Sequence, residues 1–99
     1  MPKISVIIPC YNTGDYIIRC LESLELQIYN DFDVFLIDDC SSDHTVRTIE
    51  EYISSSSMTI HLLKNERNMG PSASRYKGIL SSDAEFICFC DSDDWYDLD

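Results

Sequence analysis

The sequence predicts an α/β fold: a mostly parallel sheet with helices on both faces, in one domain spanning residues 1–99. Two observations predict it. Short β-branched apolar runs alternate with segments whose apolar residues recur at helical spacing. Polar and acidic residues without a packing role gather where the strands end, the edge at which open parallel sheets bind ligands.

The elements follow in order. "KISVIIPCY" (3–11) is a buried strand, its apolar residues continuous rather than alternating. "GDYIIRCLESLELQ" (14–27) is a helix with Ile17, Cys20, Leu21, Leu24 and Ile28 on one face and Thr13 as N-cap. "DFDVFLIDD" (31–39) is a second strand that ends on two acids. "DHTVRTIEEYI" (43–53) is a second helix, capped by Ser42 or Asp43, with Val46, Ile49 and Ile53 inward. The serine run 54–57 reads as the loop that ends it. "MTIHLLKN" (58–65) is the third strand. "GPSASRYKGIL" (70–80) is the third helix, with Pro71 in the first turn, where a missing N–H costs nothing. "EFICFC" (85–90) is the fourth strand. Such alternation implies right-handed crossovers.

Composition narrows the function. The 99 residues carry 18 acids against 7 bases, a formal charge of −11. Phosphate backbones are held mainly by Lys and Arg, so nucleic acid is excluded as a partner and an anionic membrane surface is disfavoured. The longest apolar stretches are far short of a membrane span. The five cysteines have no zinc-like spacing and read as small buried residues in a reducing compartment. The expected location is the cytoplasm, with room for peripheral attachment of the full-length protein at the inner face of the membrane.

An acidic chain nevertheless crowds Asp91, Asp93 and Asp94 into "FCDSDDW". In an extended segment Asp91 and Asp93 face one side, about 6.6 Å apart along the chain. A divalent ion with hard oxygen ligands, Mn²⁺ or Mg²⁺, suits such a pair, taking its remaining ligands from water and substrate phosphates. A solvated acidic turn is the plainer alternative. An EF-hand is excluded by the absence of the required glycine and glutamate.

The second acidic pair lies in "LIDDCSSDHT". Asp43 reads as a helix cap, whereas Asp39 is left to accept hydrogen bonds from a base or ribose. In "NMGPSASRYKG", Arg75 and Lys77 could face a diphosphate or the acids. Neither a P-loop nor a dinucleotide glycine fingerprint is present. His44 and His61 read as structural, and no serine stands in a nucleophile-elbow context.

Together, "ISVIIPCYN", "LIDDCSSDHT", "NMGPSASRYKGI" and "FCDSDDW", in this order and spacing, resemble the start of family 2 inverting glycosyltransferases of the GT-A fold. The resemblance runs from Lys3 to Trp95. It implies the Rossmann-like N-terminal half of such a domain and transfer of a sugar from a nucleotide-diphosphate donor, UDP favoured, to an acceptor hydroxyl on a saccharide or lipid-linked saccharide.

By position, the resemblance implies that Pro9 and Tyr11 flank the base, with Tyr11 stacking on it. It implies that Asp39 contacts the uracil beside its neighbour Asp38 and that Arg75 lies near the nucleotide. It puts Asp91 near the ribose and Asp93 on the metal, with Asp94 extending the motif. Tyr76 departs from the asparagine that the family has after its arginine. The chain stops at Asp99, just past the D-x-D, so the resemblance places acceptor site and catalytic base later than this sequence reaches. No residue here is nominated as that base.

The truncated sheet is expected to expose an apolar edge and to self-associate. The alternatives are a non-catalytic nucleotide-binding or scaffold module of the same fold and, with less support, a nucleotidyltransferase. The latter would bring a glycine-rich basic loop where this chain has "PCYNTGDY".

Overall fold

A computed structural model describes residues 2–27 and 29–91. Ile28, Asp93, Asp94 and Trp95 lie outside the described residues. The elements run β1 (Ile4–Cys10), α1 (Ile17–Glu25), β2 (Phe32–Asp38), α2 (Thr45–Ser55), β3 (Ile60–Lys64), α3 (Pro71–Ser81) and β4 (Phe86–Phe89). All strand pairs are parallel, in the order β3-β2-β1-β4. The predicted parallel sheet, with helices on both faces, is the architecture found.

Burial explains the sequence of the central strands. Ile8, Val34 and Leu36 pack on one face against Ile17, Cys20, Leu21 and Leu24 of α1 and Ile49 of α2. Ile7, Phe35 and Ile37 form a second cluster on the other face, where α3 crosses β1 and β2. Strands covered on both sides must be apolar at nearly every position, hence the unbroken runs. Gly78 lets α3 come close: a Cβ there would sit 2.7 Å from Cγ2 of Ile7 and 2.9 Å from Cδ1 of Ile37.

The helix boundaries differ from expectation for local reasons. Helix α1 starts at Ile17 because residues 14–16 form a turn, in which the Thr13 carbonyl accepts from the N–H groups of Tyr16 and Ile17, both at 2.9 Å. Thr13 thus contributes its carbonyl to the entry of α1; its side chain does not cap the helix. Gly14 faces His44 so closely that a Cβ would meet the imidazole at 2.5 Å. Helix α2 extends to Ser55, past its expected end at 53, and the hydroxyls of Ser54 and Ser55 bond back to the carbonyls of Glu51 and Tyr52. The N-cap of α2 is His44, whose side chain makes no capping bond, not Ser42 or Asp43; Asp43, just before it, accepts from the Thr45 N–H at 2.9 Å and from the Thr45 hydroxyl.

Both histidines have structural surroundings. His44 lies 3.3 Å from Asp15. His61 stacks on Phe35 with centroids 4.4 Å apart and lies 3.5 Å from Asp33. Strand β4 is an edge strand carrying exposed Phe86 and Phe89.

Candidate functional site

The carboxyl ends of β1 and β2 are level, because Cys10 pairs with Asp38. The ladder continues beyond both: the Asp39 N–H donates to the Cys10 carbonyl and the Asn65 N–H to the Asp38 carbonyl, each at 2.8 Å. Asp39 and Asn65 are therefore pinned by their backbones at the sheet rim. On the other side of β1 the last pair is Ile7 with Phe89, so Pro9 falls where the ladder to β4 has ended and its missing N–H is tolerated.

A cleft of about 320 Å³ opens at this rim. Pro9, Tyr11, Asp39 and Asp91 line it, four of the residues singled out from the sequence. Tyr16 from the entry of α1 and Pro71 and Ser74 from the start of α3 complete much of the wall. Tyr11 and Tyr16 are half exposed and present aromatic surface. The volume is at the lower end of the range for small-molecule sites.

Asp39 is the most constrained group. It is 4% exposed, and burial by itself would raise its pKa. Hydrogen bonds from the Met69 N–H, the Asn65 amide and the Gly70 N–H outweigh that and hold the carboxyl below its usual range. The distances are 2.7, 2.9 and 2.9 Å. Far from lacking a structural role, Asp39 anchors the loop that leads from β3 into α3. Gly70 ends that loop at φ +92°, a conformation that favours glycine.

Asp38 is turned to a different task. Its carboxylate accepts from the Ser41 N–H at 3.0 Å and from the Ser41 hydroxyl, folding the turn after β2. It does not line the cleft, unlike its neighbour. Asn12, at φ 51°, clasps the same turn: its side-chain oxygen accepts from the Ser42 N–H at 2.9 Å and the Asp43 N–H at 3.3 Å.

Arg75 reaches the cleft through Asp91, with Nη2 3.2 Å from Oδ1. Both are partly solvated, so the pair contributes little stability, about 0–1 kcal/mol, and its partners can be exchanged for a ligand. Among the described residues no group of three His, Cys, Asp or Glu side chains is arranged to hold a metal. Asp91 offers a solvated carboxylate as a hard oxygen donor at the rim; Asp93 lies outside the described residues.

Cys10 also lines the cleft, but burial, the Asp38 charge and nearby Cys90 push its thiol up to about 12, against a smaller lowering by a Thr13 hydrogen bond. It is a neutral thiol at physiological pH, not a nucleophile. Iodoacetamide at pH 8 should therefore label exposed Cys40 and Cys88 and leave Cys10 unmodified in the native chain, as read by peptide mass spectrometry.

Sequence reasoning missed Asn65, Ser74 and Tyr16. Asn65 was within reach, since it follows the third strand as Asp39 follows the second. Ser74 and Tyr16 arrive by the approach of helices distant in sequence, which no local pattern marks.

Comparison with known proteins agrees with this fold. Over 97 residues the chain is 36% identical to TarS of Staphylococcus aureus, a poly(ribitol-phosphate) beta-N-acetylglucosaminyltransferase, covering 96% of this chain and 17% of that one. It is 36% identical to AmsB of Erwinia amylovora, an amylovoran biosynthesis glycosyltransferase, covering 93% of this chain and 31% of that one. The chain thus spans under a third of either relative. The crystal structure of TarS 1–349 in complex with UDP superposes with a TM-score of 0.87 at 36% identity, over 94% of this chain and 28% of that one. A Pyrobaculum calidifontis mannosyltransferase, solved with GDP-Man and Mn²⁺, shares the fold at a TM-score of 0.91 and 20% identity, over 96% of this chain and 28% of that one. The family model described as glycosyl transferase family 2 matches residues 5–99; with a parallel sheet of the GT-A type and a cleft at its carboxyl rim, the chain belongs to that family.

Proposed function

We propose that this chain is the donor-binding half of a glycosyltransferase that moves a sugar from a nucleoside diphosphate, UDP in preference, to an acceptor hydroxyl with inversion. The observation that carries the reading is the single cleft in which Pro9, Tyr11, Asp39 and Asp91 meet at the carboxyl rim. Support comes from TarS, 36% identical and solved with UDP and with UDP-GlcNAc.

In this reading Tyr11 stacks on the base and Pro9 fixes the strand end beneath it. Asp39 accepts a base N–H, and Asp91 faces the ribose. Arg75, released from Asp91, turns to the diphosphate. Asp91 and Asp93 provide the one or two carboxylates that Mn²⁺ or Mg²⁺ takes alongside substrate phosphates. When bound, that cation neutralises charge on the departing diphosphate. The acceptor hydroxyl loses its proton to a carboxylate base supplied beyond this chain.

The test is a calorimetric titration of the chain with UDP, with and without Mn²⁺, repeated on Asp91→Ala and Asp93→Ala. The expected result is UDP binding strengthened by Mn²⁺ in the parent and independent of Mn²⁺ in Asp93→Ala, with no sugar transfer by the isolated chain. Absence of UDP binding by the parent, in a chain shown to be folded, would overturn the reading.

A further inference from the structure

We infer that Asn65, held by Lys77, is the positioning residue that fills Oδ1 of Asp39, leaves Oδ2 as its open acceptor and so sharpens the choice of base; this rests on the donor-binding reading above. Asn65 is 6% exposed and every polar atom of its side chain is engaged. Its amide nitrogen donates to Asp39 Oδ1 at 2.9 Å and to Ser74 Oγ at 3.0 Å. Its amide oxygen accepts from Lys77 Nζ at 3.1 Å. The chemistry leaves only one orientation of the amide, because a carboxylate only accepts and an ammonium only donates. Lys77 is itself fixed by the Lys64 carbonyl at 3.1 Å. A rigid relay therefore runs from α3 through the end of β3 to the rim of the cleft.

The consequence lies in the acceptor sites left over. A carboxylate has about four lone-pair sites. Oδ1 of Asp39 takes two donors, Asn65 and the Met69 N–H, and is filled. Oδ2 takes one, the Gly70 N–H, and keeps acceptor capacity in a residue that lines the cleft. Such a group favours a base that presents a ring N–H, as uracil does, and disfavours cytosine, which presents a ring acceptor at the same position. Without Asn65 the Met69 and Gly70 N–H groups still hold the carboxylate, but Oδ1 regains an open acceptor site and Oδ2 is no longer the one direction offered. The sharpness of the selectivity thus depends on a residue that touches no ligand.

The experiment measures the affinities of UDP and CDP, each with Mn²⁺, for the chain and for Asn65→Leu and Lys77→Met. The parent is expected to prefer UDP by about tenfold or more, since one lost hydrogen bond plus one opposed acceptor is worth at least that factor. In Asn65→Leu the ratio should fall severalfold, and in Lys77→Met, at a partly exposed site, it should fall about two- to threefold while the fold is kept. A purely structural role would weaken UDP and CDP in parallel and leave the ratio unchanged, which overturns the inference while leaving donor binding intact. Should Asn65→Leu not fold, an unchanged ratio in Lys77→Met overturns it equally. A parent chain that binds neither nucleotide would instead overturn the donor-binding reading itself, and the inference with it.

Discussion

Asp39→Ala is expected to abolish UDP binding and to lower stability by about 3 kcal/mol, read as the shift in a urea unfolding curve. The substitution strands the Asn65 amide and the N–H groups of Met69 and Gly70. A buried donor left without a partner costs about 1–3 kcal/mol, and water entering at the open cleft recovers part of that. Small domains hold only about 5–15 kcal/mol in total, so the loss is a large share.

The same carboxylate predicts how stability responds to acid. Its folded pKa lies below the ordinary 3.8, so its contribution is whole above 3.8 and disappears as pH falls through the lowered value. The stability gap between parent and Asp39→Asn should therefore be full at pH 7 and close below about pH 4. A gap that did not narrow at all on acidification would place the stabilisation in side-chain shape, not in charge. Asp43 shares this behaviour: burial would raise its pKa, but Thr45 and the Gly14 N–H hold it down.

Gly78→Val is the second large effect, expected to cost about 3 kcal/mol or more, at the upper end of what overpacking does. Any Cβ there presses on Ile7, which is fully buried, and on Ile37. Helix α3 can relieve the clash only by lifting off the sheet. Its first turns carry Pro71 and Ser74 to the cleft and Arg75 to Asp91, so UDP affinity should fall with stability. Gly78→Ala should lie between, since alanine regains about 1 kcal/mol of helix propensity. A valine variant as stable as the parent would show that α3 adjusts freely.

Much of this was legible in the chain. All seven elements stand where apolar runs and helical spacing put them, because central strands and amphipathic helices write their burial directly into residue order. The rim was legible too, from Tyr11, Asp39 and Asp91 at strand ends. The division of labour between Asp38 and Asp39 was not. Two adjacent carboxylates look alike in sequence, yet successive residues at a strand end point to opposite sides, and only the surrounding backbone decides which one folds a turn and which one faces the cleft. Tyr16 and Ser74 were illegible for a related reason: their place depends on how a helix end lies against the sheet.

The strand order has a consequence for how the molecule is made. Strands β1, β2 and β3 are laid down outward in sequence, each beside the one before, whereas β4 returns across the sheet to the free side of β1. While the chain emerges during synthesis, the first three strands and their helices can assemble with that side of β1 still bare. Asp91 reaches the cleft only after this return, the pairing with the widest sequence separation and the slowest kind to form. A nascent chain therefore passes through a stage in which Pro9, Tyr11 and Asp39 are in place and Asp91 is not, so the cleft is completed in the closing step of folding.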